Sequence, residues 1–209
     1  MEYEPWALYG AYAQLAVLSL CAYLLGSIPF GLLLTKLAGL GDIRSVGSGN
    51  IGATNVLRTG RKGLAALTLI LDVVKGIVAV LAAKWIGALV GSAILYSLAA
   101  GLAVVIGHVF PVWLKFKGGK GVATTFGVLL ALSPASAAVT AATWLFMLLI
   151  FRFSSLAALA ACVVATFFAF GYAGQSVGLL IGALALLIVV KHQANIVRLI
   201  KGTEPKVGK

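Results

Sequence analysis

The chain has 209 residues, of which 10% are charged and 62% hydrophobic, with a mean hydropathy of +1.10. Soluble domains carry about 25% charged residues. A water-soluble globule is therefore excluded, and so is low-complexity disorder, which needs the reverse composition. Sixteen Lys and Arg against five acids give a net charge of +11, and the placement of those charges points to a membrane rather than to nucleic acid.

At about 20 residues per crossing, the length admits at most seven or eight helical spans with short connections. The expectation is one compact polytopic domain over residues 1–209. Met1-Glu2-Tyr3-Glu4-Pro5 lacks the basic start of a signal peptide and the apolar stretch behind it is too long for one, so the first span is expected to be retained. The apolar runs read as helices, because backbone groups in hydrocarbon must pair within their own segment. Spans are predicted over 6–35, 64–86, 88–111, 121–132, 134–151, 155–172 and 176–199. Gly26, Pro29 and Gly31 can bend the first run or end it early. The fourth run is short for a crossing, which leaves a re-entrant or partly unwound passage open.

The fold class is thus an all-α integral membrane protein with about seven transmembrane helices. If odd-numbered spans exit into the cytoplasm, that side holds 14 of the 16 cations: Lys36, Arg44, Arg58, Arg61, Lys62, Lys115, Lys117, Lys120, Arg152, Lys191, Arg198, Lys201, Lys206 and Lys209. The other side keeps Lys84 with Glu2 and Glu4, and Lys75 lies within the second span. This bias places the N-terminus outside and the C-terminus in the cytoplasm. Dropping the fourth and fifth spans as a pair leaves the orientation unchanged. Cys21 and Cys162 lie in apolar runs with no thiol or His at ligand spacing, and read as packed or lipid-facing side chains.

Three segments are too rich in Gly, Asn, Ser and cations for ordinary connections, and the topology puts all three on one face. In the first, Gly47 to Arg58, the pattern Gly47-x-Gly49-x-x-Gly52 matches a dinucleotide fingerprint. No strand precedes it, however, and Asp72, at the spacing of the acidic partner, falls in a transmembrane helix. The better reading takes the glycines as backbone that approaches an anion, with Ser48, Asn50, Thr54 and Asn55 as neutral donors and Arg58 as a phosphate fork. A solvated loop with topogenic charges is the bland alternative.

The second segment, Gly118-Gly119-Lys120-Gly121, opens directly into an apolar helix, so free N–H groups, the positive helix end and the Lys120 ammonium can share one anion. It is not a Walker A loop, because Leu114 and Gly121 stand where Gly and Ser or Thr are required. Alternatively, Lys115, Lys117 and Lys120 only enforce orientation. In the third, His192, Asn195 and Arg198 share a helix face by i, i+3 spacing. His192 reads either as a proton acceptor or phosphate donor, or as a helix-end cap. His108, close to Pro111, reads as structural, and Asp72 with Lys75 as an ion pair facing the bundle.

Two His with no spare acids beside them assemble no convincing metal centre, and no nucleophile elbow is present. No metal or cofactor is expected.

Gly26-Ser27-Ile28-Pro29-Phe30-Gly31, the Gly47-to-Arg58 run, Gly107-His108 followed by Gly118 to Thr124, and His192-x-x-Asn195-Ile196-x-Arg198-Leu199 occur in order over nearly the whole chain. Together they resemble the bacterial acyl-phosphate glycerol-3-phosphate acyltransferases, the PlsY family. The resemblance implies a seven-helix inner-membrane enzyme that moves a fatty acyl group from acyl phosphate to the sn-1 hydroxyl of glycerol 3-phosphate. By matched positions it implies that Ser48, Asn50, Asn55 and Arg58, the loop from Gly118 and Gly119 to Gly121 with Lys120, Ser155, and His192 with Asn195 line the substrate site.

Elementary electrostatics fits this. Two phosphates must sit near each other, and unit charges about 4 Å apart repel by about 4 kcal/mol at an effective dielectric near 20, so cations such as Arg58 and Lys120 are required. A mixed anhydride is already activated, so positioning and charge stabilisation suffice without an enzyme nucleophile. The base is then His192 or a substrate phosphate oxygen. The expected partners are acyl phosphate, glycerol 3-phosphate and membrane lipid, with no nucleic acid. An anion transporter or channel is the competing class, and its usual inverted repeat is not detected. A transferase using acyl-CoA is the other.

Overall fold

The computed structural model describes residues 5–208, so the expectations for Glu2 and Glu4 lie outside the described residues. All its regular elements are helical: α1 Pro5–Gly26, α2 Phe30–Leu37, α3 Ala53–Leu57, α4 Lys62–Leu89, α5 Ala93–Val109, α6 Val122–Leu132, α7 Pro134–Phe151, α8 Ser154–Tyr172, α9 Gln175–Lys191 and α10 Gln193–Ile200. Short 3-10 turns follow α2 and α5, at Ile43–Ser45 and Val112–Leu114.

The first predicted run is two helices, α1 and α2, interrupted just before Pro29, whose missing N–H cannot continue the ladder. Five segments among the described residues are long and apolar enough to cross a membrane: Tyr9–Leu37, Lys62–Leu89, Ala93–Leu114, Pro134–Phe151 and Ser154–Tyr172. The predicted last span, 176–199, is not one straight helix, because α9 and α10 meet at a 62° bend. The bend falls at His192, where the apolar run gives way to a polar one. There the His192 N–H donates to the Val189 carbonyl, three residues back, and the His192 carbonyl starts the next helix by accepting from Ile196. With 11 residues, α6 is roughly 16 Å long, about half a bilayer core.

Helix α4 is the hub, packing on α5, α6, α3, α2 and α1, while α7, α8 and α9 follow in series and join through α6 and α5. Lipid supplies no hydrophobic drive between helices, so close backbone packing must hold them. Four glycines provide it. A Cβ on Gly76 would run into the Thr124 carbonyl and one on Gly127 into that of Val73, which locks α4 to α6; Gly26 and Gly107 do the same for α1 and α5. Val80, Val104, Val105, Val128, Leu129, Ile181 and Leu184 fill the centre. A smaller cluster of Leu32, Ile43, Ile51, Val56 and Ala65 seats the segment before α4. The periphery is inverted relative to a soluble protein, with Leu149 78% and Phe167 74% exposed, as a hydrocarbon solvent requires.

Candidate active site

The chain enters α4, α6, α8 and α10 near the same end of the bundle, and a cavity of about 370 Å³ opens there. Ser48, Asn50, Thr54, Asn55 and Arg58 line it from the first polar segment, Lys120 and Gly121 from the second, and His192, Asn195 and Glu204 from the third, with Ser155 at the start of α8. Three stretches separated by up to about 140 residues thus share one space. Farther in, the wall turns apolar with Leu69, Val73, Phe126, Trp144, Leu145 and Ile181.

The first segment is organised by Asn55, which is 1% exposed. Its amide nitrogen donates to the carbonyls of Ile43 (3.0 Å), Val46 (2.9 Å) and Asn50 (2.8 Å), and its oxygen accepts from the Ser48 N–H at 3.0 Å. Asn55 touches the cavity, but its donors are committed to the fold of the loop, and it holds Ser48 rather than offering a free N–H. The Asn50 carboxamide oxygen accepts from Gly52 N–H at 2.9 Å, a local turn that leaves its NH₂ available. Thr54 Oγ1 lies 3.2 Å from Ser154 Oγ and ties this segment to α8. Arg58 is exposed at the rim, its guanidinium 3.5 Å from the Asn55 oxygen.

Gly118 and Gly119 are not among the residues that line the cavity. Their N–H groups donate to the carbonyls of Val109 (3.1 Å) and His108 (3.0 Å). A Cβ on Gly118 would run into the His108 carbonyl, and one on Gly119 into His108 Nε2. The two glycines therefore let the loop press onto the end of α5, and Gly121, with φ of 90°, turns the chain into α6. Only Lys120 and Gly121 of the four reach the cavity.

Sequence reasoning sees Glu204 just beyond the third polar segment but gives it no part in the site. Its carboxylate is 8% exposed and accepts from Ser155 Oγ at 2.7 Å, Asn195 Nδ2 at 2.6 Å and Arg198 Nε at 2.7 Å. Asn195 passes the network on, its oxygen accepting from Lys120 Nζ at 2.5 Å. Glu204 is the only acid after Asp72, and in a tail otherwise basic that isolation was the available signal. Burial raises the Glu204 carboxyl, but the hydrogen bonds from Ser155, Asn195 and Arg198 and the Arg198 charge outweigh it and hold it below the ordinary carboxylate range. Lys120 moves the other way. Burial lowers its ammonium, Glu204 opposes this, and repulsion from Arg198 and Arg58 adds to it, so the group sits at about 8.

His192 is 2% exposed, and its Nδ1 lies 2.8 Å from the Ile188 carbonyl. A carbonyl only accepts, so Nδ1 carries the proton and the neutral ring presents a bare Nε2 lone pair. The predicted Asp72–Lys75 pair forms at 2.7 Å, inside the bundle, with Asp72 on the cavity wall. Among the described residues no cluster of three His, Cys, Asp or Glu side chains could hold a metal. The site offers cations, neutral donors, one acceptor imidazole and an apolar wall.

Comparison with known proteins agrees with this chemistry. Residues 16–202 match the family model described as glycerol-3-phosphate acyltransferase. A glycerol-3-phosphate acyltransferase of Caulobacter vibrioides is 55% identical over 201 residues, covering 95% of this chain and 90% of that protein. One of Paramagnetospirillum magneticum is 54% identical over 195 residues, covering 93% of this chain and 94% of that protein. The solved structure of PlsY, an integral membrane glycerol 3-phosphate acyltransferase, in its glycerol 3-phosphate form superposes with a TM-score of 0.86 at 40% identity, covering 93% of this chain and 96% of that one. Its lysophosphatidic acid form gives 0.83 at 39% identity, covering 92% and 95%. By its family model, its relatives and its fold, this multi-pass membrane chain belongs to the glycerol-3-phosphate acyltransferase family.

Proposed function

We propose that the chain transfers a fatty acyl group from acyl phosphate to the sn-1 hydroxyl of glycerol 3-phosphate, releasing lysophosphatidic acid and inorganic phosphate. It does so as a single polytopic domain in the bacterial inner membrane, with about seven transmembrane helices, the N-terminus outside and the site facing the cytoplasm. The observation that carries this reading is one cavity joining Arg58 and Lys120 to an apolar wall. That combination suits a substrate with an anionic head and a long tail. Arg58 and Lys120 offset the repulsion of two phosphates, while Ser48, Asn50 and Thr54 supply neutral hydrogen bonds. Glu204 holds Asn195 and Ser155 in place, and Asn195 holds Lys120. The cationic end of the bundle supports a cytoplasmic site.

The reaction proceeds by direct transfer. The sn-1 oxygen bonds to the acyl carbon, the carbon–oxygen bond to phosphate breaks, and phosphate leaves with the electron pair. The hydroxyl proton goes to His192 Nε2, whose lone pair is available in the tautomer set by Ile188. No enzyme nucleophile is used, because the mixed anhydride is already activated.

The test is purified protein in lipid with acyl phosphate or acyl-CoA as donor and glycerol 3-phosphate as acceptor. Lysophosphatidic acid forms with acyl phosphate and not with acyl-CoA; formation only from acyl-CoA overturns the donor assignment. Labelled acyl phosphate alone leaves no covalent acyl-enzyme, and trapping one overturns direct transfer.

A further inference from the structure

The mechanism above uses His192 and leaves the other histidine idle. His108, on α5, is 5% exposed and lines the same cavity, as does Asp72 of α4. Between α4 and α5 stands Lys75, 2% exposed, with its Nζ 2.7 Å from Asp72 Oδ1, 3.1 Å from the Ile28 carbonyl and 2.9 Å from His108 Nδ1. An ammonium has three N–H donors and no lone pair. It donates to the Ile28 carbonyl and stands at ion-pair distance from Asp72, and with no lone pair of its own it can only donate to His108 Nδ1, which must therefore accept. Asp72 does not compete for that position, because its carboxylate is 3.6 Å from Nδ1, beyond a hydrogen bond. The proton of the neutral His108 ring is thereby placed on Nε2, the opposite arrangement to His192.

The Nε2 of His108 has no protein partner among the described residues. It lies against Gly119, where a Cβ would run into it, one residue before Lys120. The ring thus places an N–H beneath the glycine loop, and His108 lines the cavity that also holds Lys120 and an apolar wall. In an acyl phosphate the carbonyl stands between the charged phosphate and the hydrocarbon tail, the two parts that those cations and that wall suit.

We propose that His108 is a further catalytic residue: Lys75, paired with Asp72, fixes its ring as the Nε2–H tautomer, and that N–H donates to the acyl carbonyl oxygen as it gains charge. This rests on the acyl-transfer reading above. When the sn-1 oxygen adds to the carbonyl carbon, the carbonyl π pair moves onto oxygen, and it returns as the bond to phosphate breaks. His108 keeps its proton throughout and acts only as a hydrogen-bond donor. A preorganised donor in a desolvated site is worth about a hundredfold or more in rate. The Asp72–Lys75 pair plays the positioning part, as an orienting partner does for other imidazoles by fixing the tautomer.

The chain has two histidines, so protein labelled with ¹⁵N-histidine in lipid nanodiscs reports both rings directly. The expected result is one Nε2–H signal, lost in H108Q, and one Nδ1–H signal from His192. D72N/K75M, which removes both charges together, gives His108 a mixture of tautomers. In kinetics, H108A lowers kcat at least a hundredfold with KM for both substrates within threefold of wild type. H108Q, whose amide N–H reaches the Nε2 position, recovers at least tenfold over H108A, whereas the shorter H108N does not. If H108A does not fold, the comparison of H108Q with H108N decides. An Nδ1–H or doubly protonated His108, an H108A within threefold of wild type, or equal losses in H108Q and H108N overturns the inference. Wild-type protein that makes no lysophosphatidic acid from acyl phosphate overturns the function reading itself, whereas active wild type with unaffected H108A overturns this inference alone.

Discussion

Among the described residues two carboxylates are buried, Asp72 and Glu204, and they are held by different means. Asp72 sits within the bundle, paired with a lysine as buried as itself and next to a buried histidine. Glu204 sits in the tail after α10. Two neutral donors, Ser155 and Asn195, satisfy it together with Arg198, whose side chain is 35% exposed. The difference separates stability from activity. A charge whose only counterion is removed inside the bundle has no water to fall back on, whereas one at the mouth of a cavity does.

The largest effect is expected where that contrast is sharpest. Lys75→Ala strands Asp72 and costs about 3–5 kcal/mol, seen as a large drop in thermal unfolding temperature in detergent. A Lys75→Ala protein as stable as wild type would erase the distinction. At the cavity mouth the loss falls on rate. Arg58→Ala and Lys120→Ala each reduce acyl transfer about a hundredfold or more while unfolding temperature stays within a few degrees. Near-wild-type rates for both would remove the phosphate grip. Glu204→Gln keeps the shape and one acceptor oxygen but loses the charge facing Lys120 and Arg198, so kcat/KM falls roughly tenfold, with stability changed far less than by Lys75→Ala. The smallest effect concerns pH. Lys120 sits at about 8 in the free protein, so its charge is lost as pH rises through that value, and KM for glycerol 3-phosphate climbs between pH 7 and 9. A bound phosphate favours the ammonium, so binding takes up a proton on the alkaline side. Lys120→Arg, charged throughout, flattens the climb; an unchanged slope in that variant assigns it to another group.

Much of this is legible in the amino-acid sequence. The convergence of the three polar segments follows from the cation asymmetry and the short connections, which together leave one face on which Arg58, Lys120 and His192 can meet. Asp72 and Lys75 could be paired from i, i+3 spacing alone. What could not be read was which polar groups are already spent. Asn55 looks like a donor for substrate, but three backbone carbonyls consume its NH₂, and their approach depends on the path of the loop rather than on any local pattern. Gly118 and Gly119 look like an anion cradle, yet they serve contact with His108 and Pro111, a tertiary demand that a glycine run does not announce. Glu204 was hidden for the converse reason. Its partners lie 49, 9 and 6 residues away, and it reaches them because the chain turns back after α10 at Gly202, with φ of 68°.

The cavity described above pairs a cationic rim with an apolar wall of Leu69, Val73, Phe126 and Trp144. In the proposed reaction glycerol 3-phosphate comes to that rim from water, whereas the acyl donor, carrying a hydrocarbon tail, is supplied by the bilayer. The governing concentration for that second ligand is its mole fraction in the lipid, not its amount per volume of solution. Adding inert phospholipid at constant total donor should therefore slow turnover by surface dilution, while the response to glycerol 3-phosphate keeps its ordinary saturation in the aqueous phase.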